Sequence, residues 1–231
     1  MQRRHLITAL AALGGWPAAW TPTLARAAGL TESDAASGIR AALERGATIA
    51  VQLLGRPDGF LGNPKVRIPL PGFLEEAAKL LRYTGQQHRV DELVTAMNRA
   101  AEAAVPEAKA LLVNAVRSMS VEDGRRILTG GDDAATRFFA EKTRAPLTTR
   151  FLPIVTRATQ KVALAEKYNA VAGKASGLGL VRKEDANLQQ YVTGKSLDGL
   201  YLVIGEEERK IRQDPVGTGS ALLQKVFGAL R

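Results

Sequence analysis

The sequence predicts an all-α protein that folds as a single multi-helix bundle of about eight or nine helices. Apolar residues recur at steps of three and four along most of the chain, which places them on one face of a helix. The alternation of apolar and polar residues that is typical of strands is almost absent. Glycine and proline divide the helical pattern into segments joined by short links, and such segments pack into bundles.

The N-terminal segment has the layout of an export signal. Arg3 and Arg4 precede an uncharged stretch over residues 6–20, and an Ala-Arg-Ala motif ends at Ala27, where signal peptidase would cut. The paired arginines favour the twin-arginine route, with the general secretory route as the alternative. We therefore expect a signal peptide over residues 1–27, a single all-α domain over residues 28–231 and a periplasmic location.

The first predicted helix follows this signal and ends at Gly55. Thr31 and Asp34 come close to a capping box at its start. Residues 55–72 are rich in glycine and proline, so we expect an extended loop there, with a short strand at residues 66–68 as an open alternative.

The middle of the chain predicts a series of short helices. One spans residues 73–83, and the next starts near Val90. Pro106 either kinks that helix or begins a new one. Ser120 and Asp123 form the predicted cap of a further helix, which ends at the following pair of glycines.

The C-terminal half contains the longest apolar stripe. It covers residues 147–168 and continues across Pro153, which is expected to bend it locally. Residues 173–179 predict a flexible loop because glycine is frequent there. A helical pair is expected over residues 188–211, and a last helix around Phe227.

Composition and motifs argue against several functions. The net charge of +9 is spread along the chain and aromatic residues make up only 5%, so nucleic-acid binding is not expected. The chain has no Cys, which excludes disulfides and thiolate metal ligands. His88 is the one histidine after the predicted signal, which excludes a zinc site with several histidines. No nucleophile motif, cofactor loop or later membrane span is recognisable. We therefore expect a protein without cofactor or metal, and we favour a binding protein over an enzyme.

Helical phase predicts that some polar residues are buried. Asn98 lies beside the apolar stripe of its helix, so we expect it to be buried and hydrogen-bonded, and Glu102 lies at the edge of that stripe. Glu208 lies near the middle of another stripe, and Arg212 follows four residues later in the favoured order of acid before base. We expect a partly buried Glu208–Arg212 pair, with a structural role preferred to a catalytic one.

Asp132 and Asp133 follow two glycines and precede an apolar run. This position predicts a helix cap, although neighbouring carboxylates also occur in Ca²⁺ sites. Together with Glu102 and Glu208, these residues are candidates for an acid/base pair. A carboxylate-dependent envelope hydrolase is therefore an alternative function, and it requires two of the four carboxylates in one open cleft.

Five strings in the sequence are long and unusual. They are RIPLPGFL (67–74), MNRAAEAA (97–104), ILTGGDDAATRFF (127–139), EEERKIRQDP (206–215) and KVFG (225–228). In this order they resemble the bacterial family called domain of unknown function 4197, over essentially the whole chain after the signal. The resemblance implies an all-α protein exported from Gram-negative bacteria, and it carries over no catalytic or binding residue. Some members resemble lipoproteins, and this chain departs from them because it has no Cys.

The leading functional hypothesis is a non-enzymatic periplasmic domain that binds a ligand or a protein partner beside residues 55–72. Phe60 and Ile68 place large apolar side chains in this non-helical segment, so they are candidates to line a groove. The alternative is that both side chains plug the bundle. An anionic envelope surface and a homo-oligomeric scaffold are further open alternatives.

Overall fold

The structure is a computed structural model that describes residues 32–179, 182 and 185–214, without the side chains of residues 32–35, 73, 75–77 and 175. The predicted signal, the cap at Thr31 and the helix around Phe227 lie outside the described residues. The described α-helices are α1 (Glu32–Leu54), α2 (Glu75–Tyr83), α3 (Gln87–Ala104), α4 (Ala108–Arg117), α5 (Val121–Thr129), α6 (Ala134–Thr159), α7 (Ala163–Gly177) and α8 (Leu188–Gln213). These ranges contain no strand, so the predicted all-α class is confirmed.

The long helices α6 and α8 form the centre of the bundle. They pack against each other, α3 packs on both, and α1 packs on α8 and α4. Their shared core includes the fully buried side chains Phe139, Leu147 and Phe151 of α6 and Leu197 of α8. This core positions α3 and α8 on either side of the irregular segment 55–72.

Several helix boundaries match the predicted ones. The helix α1 ends at Leu54, directly before Gly55. Pro106 lies in a 3₁₀ turn, Val105–Glu107, which separates α3 from α4. Ser120 and Asp123 form the predicted capping box of α5, in which each side chain bonds the backbone N–H of the other residue. Local turn and cap chemistry therefore placed these boundaries correctly.

Three boundaries in the C-terminal half differ from the prediction. The predicted stripe over residues 147–168 is divided, because Val162 has an extended backbone (φ −96°, ψ 111°) and starts α7. The helix α6 begins at Ala134, directly after Asp133 as predicted, but it continues through Pro146 and Pro153 into the first half of that stripe. The loop predicted at residues 173–179 is wrong over most of its length, since α7 extends to Gly177.

The helical pair predicted over residues 188–211 is also a single helix, α8. The strand considered for residues 66–68 does not form, because the backbone of Ile68 pairs with a side chain of α3. Within the described ranges, no helix has both the length and the hydropathy needed to cross a membrane.

Candidate functional site

The segment 55–72 contains no α-helix or strand, yet α3 holds it in place. The side-chain carbonyl of Asn98 accepts a hydrogen bond from the backbone N–H of Ile68 at 2.8 Å. The amide of Asn98 donates to the carbonyl of Ile68 at 3.0 Å and to that of Val94 at 2.8 Å. Asn98 is fully buried, as its helical phase predicts, and it replaces the strand partner that Ile68 lacks.

Glu102, one turn further along α3, fixes the first half of the segment. Its Oε1 accepts hydrogen bonds from the backbone N–H groups of Phe60 and Leu61, both at 3.0 Å. Its Oε2 accepts from Arg99 at 2.7 Å, and Arg99 also pairs with Asp58 at 2.8 Å. Glu102 is therefore a buried carboxylate with a backbone ligand on one oxygen and a cation on the other. We call Asn98, Arg99 and Glu102 the α3 clamp.

Asp58 lies at the most strained point of this segment. It has a φ of +63°, the left-handed region, which asparagine and aspartate tolerate better than other residues with a side chain. Its carboxylate is held by Arg99 in this conformation. The α3 clamp therefore fixes a turn that the chain would not favour by itself.

The helix α8 holds the same segment from the other side. At Gly199 an added Cβ would lie 2.7 Å from the Phe60 ring and 3.2 Å from the Val66 Cβ, so the close approach requires glycine. The hydroxyl of Tyr191 donates to the carbonyl of Pro69 at 3.0 Å. Burial raises the pKa of Tyr191 to about 12, so this donor stays protonated.

Phe60 and Ile68 do not line an open groove together. Their side chains are 0% and 1% exposed, because Phe60 packs against Gly199 and Ile68 is held by the α3 clamp. The predicted groove formed by these two side chains is therefore wrong. Both side chains are part of the buried core of the bundle, as the alternative prediction for these residues stated.

An open depression does lie beside the same segment, between residues 65–72 and α8. It has a volume of about 370 Å³. Its walls carry the cations Lys65, Arg67 and Lys195, the acid Asp198 and the partly exposed Leu202. We call it the basic groove.

The charges of the basic groove are unequally paired. Lys65 pairs with Glu206 at 2.7 Å, and Asp198 pairs with Arg144 at 3.0 Å. Among the described residues, Arg67 and Lys195 make no ion pair, and the ammonium of Lys195 lies 5.9 Å from the ring centre of Tyr191. The groove therefore has one unpaired cation on each wall, Arg67 from the segment and Lys195 from α8.

Glu208 forms a second polar cluster, at the beginning of α6. Its Oε1 accepts from the backbone N–H of Ala135 at 3.0 Å. Its Oε2 accepts from the backbone N–H and the hydroxyl of Thr136, at 3.0 and 2.9 Å. A carboxylate from α8 thus caps the N-terminus of α6, where unpaired N–H groups and the helix dipole favour negative charge.

Arg212 completes this cluster. It donates to Glu208 at 2.8 Å and to the carbonyl of Ile127 at 2.8 Å, and its side chain is 16% exposed. The predicted Glu208–Arg212 pair is therefore present and partly buried. It joins α8 to the end of α5 and the start of α6, and we call these two residues the α8 cap.

Asp133 occupies the N-cap position of α6, but its carboxylate makes no capping hydrogen bond. It pairs with Arg137 at 2.8 Å, and both Asp132 and Asp133 are exposed. The predicted cap by the side chain of Asp132 or Asp133 is therefore wrong, because Glu208 performs that function.

The carboxylates proposed for acid/base chemistry are not brought together. Glu102 holds the segment 55–72, Glu208 caps α6, and no described cavity is lined by two of Glu102, Asp132, Asp133 and Glu208. Both buried carboxylates have every oxygen occupied by donors. These contacts give Glu102 and Glu208 structural roles and offer no support for the hydrolase alternative. In the part of the chain that the structure describes, no three His, Asp or Glu side chains converge on a metal site.

A larger polar cleft of about 410 Å³ lies between the end of α6 and the starts of α7 and α8. Its amides are partly committed to internal bonds. Asn169 accepts from the N–H of Leu188 and donates to Gln189, and Gln189 donates to Thr159. This network ties the three helices together and leaves a cleft without a concentration of charge, so the basic groove is the stronger candidate site.

The sequence pattern indicated segment 55–72 as the place of a site, but the side chains predicted to line that site are not those on its walls. It selected the large apolar residues, which are buried, and missed Arg67 and Lys195 on the walls. Arg67 alternates with the buried Val66 and Ile68, and this local alternation was an available signal. Nothing in the sequence indicates that Lys195, far along the chain, faces Arg67 across a groove.

Comparison of the chain with curated proteins and with solved structures finds no significant match. The sequence model of one family, described as protein of unknown function (DUF4197), matches residues 29–228. That range includes the α3 clamp, the basic groove and the α8 cap. The chain belongs to the DUF4197 family.

Proposed function

We propose that this protein is an exported, non-enzymatic binding domain that holds a small organic anion in the basic groove. The observation that carries the proposal is the pair of unpaired cations, Arg67 and Lys195, on opposite walls. Two cations separated by a groove favour a ligand with two negative charges or one doubly charged group, such as a phosphate ester. Leu202, which is 44% exposed, offers an apolar contact for the body of the ligand.

The contacts that fix the walls of the basic groove support the proposal that it is a preformed site. Asn98 from α3 and Tyr191 from α8 bond the backbone at Ile68 and Pro69, the two residues that directly follow Arg67. Gly199 brings α8 into direct contact with Phe60 and Val66. A site with rigid walls loses little conformational entropy when its ligand binds. The volume of about 370 Å³ lies within the range of small-molecule sites.

The binding proposal is tested by calorimetric titration with phenyl phosphate, a doubly charged group on an apolar body, at low salt. The double variant Arg67→Gln/Lys195→Gln is expected to lose about tenfold in affinity, which corresponds to about 1.4 kcal/mol. The matched control is Lys109→Gln/Lys142→Gln, which removes two charges from exposed positions outside the described cavities. Equal affinity in both double variants, or no binding by the original protein, contradicts the proposal.

Export is supported by the N-terminal sequence alone. A reporter fused after Ala28 is expected to reach the periplasm, and Arg3→Lys/Arg4→Lys is expected to block a twin-arginine signal, which requires the pair itself. Normal export of the double lysine form moves the assignment to the general route. Retention of the original fusion in the cytoplasm contradicts export.

A homo-oligomeric scaffold is the second candidate, and one observation favours it. Leu80 and Tyr83 on α2 are 64% and 90% exposed, which is unusual for large apolar side chains. If they form a contact between copies, light scattering will give a multiple of the monomer mass, and Leu80→Ser/Tyr83→Ser will restore the monomer. A monomeric original protein at high concentration contradicts this candidate.

A further inference from the structure

A second cavity lies on the other side of Leu70 from the basic groove. It is apolar, has a volume of about 150 Å³ and lies between α2, the start of α3 and α7. Its wall includes Ala78 and Leu81 of α2 and Leu164 and Val171 of α7. We call it the apolar pocket. The helix α2 packs on α3 and on the 3₁₀ turn Gly72–Leu74, and the pocket lies between these elements and α7.

The size and lining of the apolar pocket define what it accepts. Protein interiors leave few voids larger than a water molecule, and a cavity of this size with apolar walls has no partners for ordered water. A void of about 150 Å³ lined by apolar side chains accepts benzene, a group of about six carbon atoms. The pocket is open to solvent on one side, and Val171 in its lining is 51% exposed, so a ligand can enter without unfolding.

Lys167 is the one charged residue that lines this pocket. It lies on α7, one turn before Val171, and is itself exposed. Among the described residues it makes no ion pair. An ammonium at the mouth of an apolar pocket is complementary to a molecule with a hydrocarbon tail and a single anionic head.

We propose that the apolar pocket binds small alkyl carboxylates with a tail of about six carbons. The tail occupies the space between Ala78, Leu81 and Leu164, and the carboxylate lies at the mouth beside Lys167. This goes beyond the proposed function because the pocket shares only Leu70 with the basic groove. It requires neither Arg67 nor Lys195.

The probes are hexanoate, 1-hexanol and acetate, titrated into the full-length protein and followed by the methyl NMR signals of Leu81, Leu164 and Val171. We expect hexanoate to bind more tightly than hexanol by about two- to fivefold, the effect of one exposed charge, and acetate not to bind at all. Binding of acetate as strong as that of hexanoate, or no binding of hexanoate, overturns the proposal.

Two variants locate the site. Lys167→Gln is expected to weaken hexanoate binding to the level of hexanol, whereas Lys174→Gln, two turns further on the same helix, leaves it unchanged. Ala78→Leu fills the pocket and is expected to weaken hexanoate and hexanol alike by more than tenfold. Should that variant unfold, Leu81→Phe takes its place, with thermal unfolding as the check on each. Binding that persists in a folded pocket-filling variant overturns the proposal.

The basic-groove variant separates this inference from the proposed function. Arg67→Gln/Lys195→Gln is expected to bind hexanoate with the affinity of the original protein. An equal loss of phenyl phosphate and hexanoate in that variant places both probes in the basic groove and overturns the apolar-pocket inference. Loss of phenyl phosphate alone leaves both proposals standing.

Discussion

The α3 clamp and the α8 cap use the same chemistry in two different settings. In each, a buried carboxylate on a long helix accepts backbone N–H groups from a segment far away in the chain and also binds an arginine on its own helix. Glu208 holds the start of a regular helix, and its partner Arg212 is 16% exposed. Glu102 holds an irregular segment, and its partner Arg99 is 43% exposed.

The different exposure of the two arginines indicates which interaction contributes most to the stability of each cluster. In the α8 cap the ion pair itself is largely removed from water, so losing one partner leaves a charge that is poorly solvated. In the α3 clamp the cation remains half in solvent, and the buried amide of Asn98 carries part of the attachment. We therefore expect charge changes to be most damaging at Glu208 and hydrogen-bond changes to be most informative at Asn98.

The largest effect is expected for Glu208→Gln. The neutral amide cannot accept at both positions, so either Arg212 or Thr136 loses its partner, and breaking a buried pair costs about 3–5 kcal/mol. Denaturant unfolding measures the change, with the exposed Glu166→Gln as the matched control. A loss below about 0.5 kcal/mol would place Glu208 among ordinary surface carboxylates.

The double variant Glu208→Leu/Arg212→Leu sharpens that result. It removes both charges, so it is expected to recover part of the loss seen in the single variant. Recovery stays incomplete because the N–H groups of Ala135 and Thr136 still lack their acceptor. Full recovery would show that the pair, and not the cap on α6, accounts for the whole effect.

The next effect is expected for Asn98→Ala. The N–H and the carbonyl of Ile68 both lose a buried partner, at a cost of about 2–3 kcal/mol. Asn114→Ala on the exposed face of α4 is the control and is expected to change stability by less than about 0.5 kcal/mol. Equal effects in the two variants, measured by denaturant unfolding, would contradict the α3 clamp.

A smaller loss of stability is expected for Gly199→Ala, whereas its control, Gly194→Ala, is expected to gain stability. Gly199→Ala forces a Cβ against the buried Phe60 ring, and such overpacking costs about 1–3 kcal/mol. Gly194→Ala, on the same helix with no atom within 4 Å of the added Cβ, is expected to stabilise by about 0.5–1 kcal/mol. Stabilisation by both substitutions would show that segment 55–72 can shift to accommodate the added Cβ and does not pack firmly on α8.

The smallest effect belongs to Asp123, a capping carboxylate that lies mostly outside the core. Hydrogen bonds from Ser120 lower the pKa of Asp123 from 3.8 to about 2, with a further contribution from Arg126. Because the folded-state pKa is the lower one, this group stabilises the fold above about pH 4, and the contribution is lost as the pH falls toward 2. The stability difference between the original protein and Asp123→Asn is expected to vanish over that interval. A difference that stays constant from pH 6 to pH 2 would contradict the assignment.

Helical phase was sufficient to predict burial, and local cap chemistry was sufficient to predict several boundaries. Asn98 lies beside an apolar stripe and Glu208 near the middle of one. Ser120 and Asp123 form a capping motif that is complete within four residues. These features depend on a single helix or turn, so the sequence around them contains what is needed to recognise them.

Partners that come from distant segments were not predictable in the same way. Asp133 has the residue type and the position of a helix cap, yet Glu208 makes the capping bonds because the packing of α8 on α6 brings it there. Val162 divides an apolar stripe that continues in the sequence, because its backbone is extended and not helical. Arg67 and Lys195 face the same groove only after segment 55–72 has been fixed to α3 and α8.

The central claim is that segment 55–72 is a rigid wall fixed by side chains of α3, although it contains no α-helix or strand. Hydrogen exchange of the backbone amides of Phe60, Leu61 and Ile68 tests it most directly, because each donates to a clamp residue. We predict that these amides exchange as slowly as those in the core of α3, and that Asn98→Ala accelerates exchange at Ile68 while amides in the middle of α8 remain protected. Fast exchange at all three amides in the original protein would contradict the claim.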